Sequence, residues 1–301
     1  MNTCDKGPEF NISIPAKWEK VTAEALMRDI WRAPKKTIHQ LRMDKAITLN
    51  GKPLHWNQPL NQGDVLHFSL QRFDYGVIPA KMPLIVLYED AHLLIVNKPA
   101  GINTHPNDPH SEKDTLANAV AWHLQDRGEN AQVQHIHRLD RDTTGAVIFA
   151  KHPLAKGILD RLLAEREIKR TYWAIVHGFL KQKKGTINKA IGRDRHHNSR
   201  RRTSPAGQSA VTHFQSLEQN TSKSLSLVQL ILDTGRTHQI RVHMSSIGHP
   251  LAGDLLYGGT KIANRQALHA KYISLPHPLT GERMTFEAPF LDEPPLFQAF
   301  F

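Results

Sequence analysis

Apolar residues recur with two different spacings along the chain, and each change of spacing marks an element. Ala25, Leu26 and Ile30, then Ile38 and Leu41, fall at helical spacing on either side of Ala33-Pro34, which predicts two short helices. Ala46-Ile47-Thr48-Leu49 and Val65-Leu66-His67-Phe68 read as strands, and Asn50-Gly51 is the dipeptide a tight hairpin turn prefers. Gly76, Pro79 and Pro83 interrupt the pattern and place a boundary near 76–84, between a small unit (1–80) and a larger one (84–301). A linker of this composition predicts few contacts shared by the two units.

Beyond the boundary, strands and helices mix. Leu93-Leu94-Ile95-Val96 predicts a buried strand ending at Lys98-Pro99-Ala100-Gly101. Asp114 as cap, Leu116, Val120 and Leu124 on one face, and Gly128 as a stop predict a helix. Gly145 to Ala150 predicts a further strand, and Pro153 opens a helix with Leu154, Ile158 and Leu162 inward. Ala210–Leu217 and Ser224–Leu232 predict two long strands around Gln219-Asn220-Thr221-Ser222. The mixture points to an α+β domain with a largely antiparallel sheet.

Composition narrows the class. With 40% hydrophobic and 22% charged residues in 301, the chain excludes disordered and fibrous classes. Apolar runs such as Leu84 to Tyr88 fall far short of the roughly 20 residues a membrane helix needs. Met1 to Glu9 lacks the apolar stretch of a signal peptide, and the single cysteine, Cys4, excludes an intrachain disulfide framework and a multi-cysteine zinc site. A cytoplasmic protein with no membrane partner is expected. Lys+Arg 39 against Asp+Glu 28 gives +11, a surplus that favours a polyanion, above all a nucleic acid. Residues 193–202 hold five arginines against one acid, between Gly192 and Pro205-Ala206-Gly207, and read as a flexible basic loop for phosphate contacts.

Reactive side chains concentrate in three stretches: His135 to Gly145, Lys169 to Val176, and Thr234 to His243 continuing to Asp254. In the first, His135, His137, Asp140 and Asp142 are the residue types of a hydrolytic metal site, which would make the protein a metal-dependent RNA hydrolase. Against it, Asp140 falls three residues after His137 where the familiar motif has two, and Arg138 and Arg141 would set cations beside the ion. A purely structural Asp140, capping its own loop, is the other reading of that stretch alone.

The stretch His137-Arg138-Leu139-Asp140, followed by Thr143-Thr144-Gly145 and a strand, resembles the signature of the RluA family of pseudouridine synthases, with Thr144 at a position where serine is usual. Leu87-Tyr88-Glu89-Asp90 through Gly101, Lys169 to Gly178, Thr234 to Gly258, and Leu268-His269-Ala270 with His277-Pro278 are similar to the family's other blocks, in the family's order. The resemblance implies a catalytic domain with a mixed, largely antiparallel sheet and a central cleft. Residues 1–80 resemble the small RNA-binding module of two helices and a hairpin that many members carry.

It implies further that uridine in RNA, ribosomal or transfer, is isomerised to pseudouridine without a cofactor or a metal. Asp140 would be the catalytic carboxylate. A carboxylate that must stay ionised in a cleft closing over a base needs an opposite charge, and Arg241 is the matching residue, with a fork able to hold it by two hydrogen bonds. Tyr172 would stack on the uracil and offer a phenol. Arg138, Leu139 and Leu268 would contact or shape the substrate site, and Arg236, His238 and the 193–202 loop would contact RNA. No obligatory protein partner is implied, and a monomer is the simplest expectation. A non-catalytic RNA-binding or ribosome-assembly factor on this fold would be expected to lack one of Asp140, Tyr172 and Arg241; all three are present.

Overall fold

The structure, a computed structural model, describes residues 7–71, 74–261, 264–293 and 295–297, so Cys4 and most of the N-terminal stretch lie outside the described residues. The N-terminal unit is a four-stranded antiparallel sheet of Glu9–Ser13 (β1), Ile47–Leu49 (β2), Lys52–Pro53 (β3) and Val65–Ser69 (β4), in the order β1-β4-β2-β3. β1 is a strand the apolar spacing did not predict; its Phe10 and Ile12 alternate inward along only five residues. The two helical segments form as expected. The first runs from Ala23–Ala25 (α1), capped by the Thr22 hydroxyl accepting from Ala25 N, into a widened turn at Leu26–Ile30. The second is Lys35–Met43 (α2).

The larger unit is built on Ile85–Glu89 (β5), Leu93–Lys98 (β6), Gln134–His135 (β7), Thr144–Ala150 (β8), Lys169–His177 (β9) and Lys184–Asn188 (β10). It continues with Ile191–Arg193 (β11), Arg201–Thr203 (β12), Val211–Asn220 (β13), Leu225–Leu232 (β14), Leu268–Pro276 (β15) and Arg283–Glu287 (β16). The main sheet runs β10-β13-β14-β9-β15-β8-β6-β5, with β16 beside β15 and β7 beside β8. Its described pairings are antiparallel except β15 with β8, where His269 faces Thr144 and Ala270 faces Gly145. At this parallel seam Gly145 has φ +113, and a Cβ there would lie 2.4 Å from the Ala270 carbonyl oxygen. Only glycine lets the two backbones meet so closely.

Strands β6 and β8 are buried on both faces, which is why they read as continuous apolar runs. Ile95, Ala146 and Ile148 pack with Pro153–Ala164 (α4) and with the N-terminal unit. Leu94, Val96, Val147 and Phe149 pack on the opposite face with Leu116–Asp126, the helix α3. The cap of α3 is Thr115 rather than Asp114, with Thr115 N donating to Asn118 Oδ1 at 3.0 Å. A fifth helix, Gln239–Ser246 (α5), carries Arg241.

Two expectations are corrected. The units share a continuous core instead of few contacts. Phe10 of β1 stacks on His152 and meets His92 edge-on, each at 4.7 Å, and Trp31 Nε1 donates to the Leu279 carbonyl at 2.9 Å. Pro34 sits against Gly157 of α4 so closely that a Cβ there would be 2.5 Å from its ring. The Gly/Pro composition located a connection, but apolar faces on both sides of it decided the packing. The basic segment 193–202 is not a structureless loop. β11 and β12 pair as an antiparallel ribbon, and at its tip Asp194 accepts from Arg200 Nε at 2.7 Å and His196 N at 3.1 Å.

Candidate active site

A cavity of about 730 Å³ opens beside the parallel seam. The loop 137–140 forms one side, Arg170 and Tyr172 of β9 line it, the segment 232–241 closes another side, and Leu268 enters from the start of β15. Polar residues before a strand leave the sheet as a loop, and here neighbouring side chains clamp that loop residue by residue. The buried Thr104 hydroxyl donates to the Leu139 carbonyl and accepts from Leu139 N, both at 3.0 Å. Lys98, fully buried, donates through Nζ to the carbonyls of Pro99, Ile102 and Arg141 at 2.7–2.8 Å. Burial pushes the Lys98 ammonium down to about 7, against the pull of Asp142 and Asp140. Both peptide neighbours of Asp140 are thus tied to the segment 98–104.

Arg241 lies in the first turn of α5, at a buried helical position. Its Nη1 donates to Asp140 Oδ2 at 3.1 Å, while Nε and Nη2 donate to Asp254 Oδ2 and Oδ1 at 2.7 and 3.0 Å. The two-pronged hold is therefore on Asp254, and Asp140 receives one hydrogen bond. The reason is geometric: Asp254, itself 2% exposed, occupies the Nε–Nη2 edge, so Nη2 is already committed and Asp140 meets Nη1 alone. Burial opposes the Arg241 charge, but hydrogen bonds and charge from Asp254, then Asp140, hold its pKa above the ordinary range. The guanidinium carbon also lies 5.0 Å from the Tyr257 ring centre.

Tyr172 is buried, and burial raises its phenol pKa, so the ring enters neutral pH protonated. No described residue hydrogen-bonds its hydroxyl. His238 was expected among RNA contacts, yet its Nε2 lies 3.9 Å from Asp140 Oδ2 and its Nδ1 bonds the Tyr257 hydroxyl at 2.9 Å. It has φ +58 just before α5, a conformation uncommon outside glycine. Gln239 holds that turn: its Oε1 accepts from the Thr234 hydroxyl and Arg236 N, and its Nε2 donates to Val211 O. Tyr257 also accepts from Arg201 N at 2.8 Å, which ties the basic ribbon to this side of the cavity.

Among the other expected residues, Arg138 and Arg236 are exposed on the cavity lining, and Arg236 Nε donates to Ser209 O. Leu268 and Leu139 are buried, line the cavity and belong to the core around α3. His135, His137, Asp140 and Asp142 do not converge on a point. His135 stacks on His105 at 4.3 Å, His137 Nε2 accepts from Ile148 N, and Asp140 faces Arg241. Among the described residues, no group of three or more His, Cys, Asp or Glu could hold a metal ion. Tyr257, Thr104 and Lys98 were given no role from sequence, and Asp254 was named only as the end of the third reactive stretch. Asp254 had a signal, since a buried arginine that touches one carboxylate with one nitrogen needs a second acceptor.

Residues 92–246 match the family model for RNA pseudouridylate synthase, and residues 10–66 match the RluD ribosomal pseudouridine synthase N-terminal domain. The uncharacterized RNA pseudouridine synthase YhcT of Bacillus subtilis is 49% identical over 287 residues, 95% of this chain and 95% of that one. The ribosomal large subunit pseudouridine synthase D of Pseudomonas aeruginosa is 37% identical over 266 residues, 83% of this chain and 82% of its own. Human RNA Pseudouridylate Synthase Domain Containing 1 superposes with a TM-score of 0.56 at 28% identity, covering 74% of this chain and 88% of that one. The fold is thus that of an RNA-modifying isomerase. The chain belongs to the RluA family of RNA pseudouridine synthases and isomerises uridine in RNA to pseudouridine.

Proposed function

We propose that Asp140 is the carboxylate that carries the reaction, with Arg241 as its positioning cation and Tyr172 as the platform and proton-bearing group beside the base. The observation that carries this reading is the Arg241 Nη1 to Asp140 Oδ2 hydrogen bond in a cavity that Tyr172 also lines. The isomerisation breaks the bond from ribose C1′ to N1 and forms one from C1′ to C5. The C5 hydrogen leaves as a proton, N1 gains one, and no electrons are transferred. Asp140 acts as nucleophile or as stabiliser of the cationic or glycal-like sugar. The protonated Tyr172 is suited to pass a proton as the base turns.

The RNA is ribosomal, of the large subunit, on the strength of the relatives named for that substrate. The chain works as a cytoplasmic monomer, with residues 1–80 as an RNA-contacting module on a catalytic domain of 84–301. Arg138, Arg236 and the 193–202 ribbon bind phosphates around the target, while Leu139, Leu268 and His238 shape the base site. Asp140→Asn should abolish pseudouridine formation on a bacterial large-subunit ribosomal RNA transcript while leaving RNA affinity within a few fold. Substantial turnover by the purified variant, checked by mass spectrometry for deamidation, would refute the assignment.

A further inference from the structure

The cavity has a second buried cation besides Arg241, and it has no carboxylate. Arg170 is 7% exposed and lines the cavity, and its side chain makes no hydrogen bond or ion pair with any described residue. Its Nε is fully enclosed without a partner. Its Nη1 lies against Gly235, where a Cβ would come within 3.2 Å, so the glycine leaves the guanidinium room. The cavity's three carboxylates are engaged elsewhere: Asp140 with Arg241, Asp160 with Lys156, and Asp233 with Arg166.

His137, 6% exposed and on the same lining, adds a second orphan donor. Ile148 N donates to its Nε2 at 3.4 Å, so that nitrogen carries the lone pair and the proton sits on Nδ1. Nδ1 is buried with no partner. Burial first, then the Arg170 charge, keeps the ring neutral. Two enclosed donors, one of them cationic, without an acceptor are costly in a folded protein unless a ligand supplies one.

We propose that Arg170 and His137 form a phosphate subsite that holds a phosphate group of the nucleotide whose base stacks on Tyr172. Arg170 and Tyr172 sit two residues apart on β9 and are both buried, on one face of the strand. That places them about 7 Å apart along the strand, the span from a stacked base across its ribose to a phosphate. A neutral carbonyl of uracil would not require a cation, whereas a phosphate supplies the missing charge and several acceptor oxygens. The inference rests on Tyr172 as the base platform.

The test titrates the full-length protein with uridine, uridine 5′-monophosphate and uridine 3′-monophosphate by calorimetry. The wild type should bind one monophosphate at least tenfold tighter than uridine. Arg170→Gln should erase that preference and keep uridine affinity within about twofold, and His137→Gln should reduce it several-fold. Arg170→Met should melt at the wild-type temperature or above, because it removes an uncompensated buried charge. No phosphate preference in the wild type, or an undiminished preference in Arg170→Gln, overturns the subsite. A clear drop in melting temperature for Arg170→Met with the preference retained makes the arginine structural. Failure of the platform reading looks different: Tyr172→Leu would then leave uridine affinity unchanged while Arg170→Gln still erased the phosphate preference.

Discussion

Two buried arginines stand on different walls of one cavity and are held in opposite ways. Arg241 lies between two carboxylates, under Tyr257, on a helix whose first turn is locked by Gln239. Arg170 lies on a strand with no acceptor among the described residues, beside the partnerless Nδ1 of His137. The first wall is complete before RNA arrives, and its charges orient Asp140. The second is completed only by a ligand. A buried charge that is paired supports the fold, and one that is not lowers stability in exchange for binding.

That contrast is broken most directly by removing each cation in turn. Arg241→Met leaves the buried Asp254 without its partner and should destabilise the protein by about 3–5 kcal/mol, measured by denaturant unfolding. The milder Arg241→Lys keeps a charge but loses the fork, so single-turnover rates should fall far more than for a surface Arg→Lys change. A cost for Arg241→Met no greater than that for Arg170→Met would dissolve the distinction between the walls.

Acid probes the Arg170 side. His135, stacked on His105 along that lining, has its pKa pushed down to about 4 by burial first and then by His105, Lys156 and Arg138. A histidine whose folded pKa lies below its unfolded value near 6.5 binds its proton more readily when unfolded. Its contribution to stability is present above pH 6.5 and is lost as pH falls toward 4, up to about 3 kcal/mol. His135→Phe should make the stability–pH curve shallower over that window, where buried His92 and His269 also contribute; an unaltered slope would show that His135 adds nothing to it.

The smallest expected effect concerns the loop shared by the two walls. Thr104→Val removes both hydrogen bonds that fix Leu139 beside Asp140 and should cost about 1–3 kcal/mol. The catalytic rate should drop more than RNA affinity does. Equal losses in both would mean that Thr104 holds the fold and not the carboxylate.

Much of the site could be read from the chain, and the reason is local. Asp140, Tyr172 and Arg241 sit in ordered blocks whose residue types carry the resemblance, and all three line the one cavity. The misses share a cause as well. Asp254 is 13 residues from Arg241 and Thr104 is 35 from Leu139, so neither pairing leaves a periodic trace. The strand β1 is too short and too mixed to stand out, and it forms because Val65–Ser69 offers it an edge. The linker 76–84 has the composition of a loose connection. Yet Asn118 Nδ2 donates to Ile78 O, and Ala80 N donates to Asn118 O.

By itself the sequence determined the first four helical segments and the most apolar strands, the basic surplus, the α+β class and which carboxylate to suspect, because these depend on residue type and near-neighbour spacing. The tertiary structure alone decided that the two units share a core, that Arg241 grips Asp254 with its fork, and that Arg170 is left without an anion. Each depends on which distant side chain fills a given space first, and charge pairing and close packing act through space, whatever the separation along the chain.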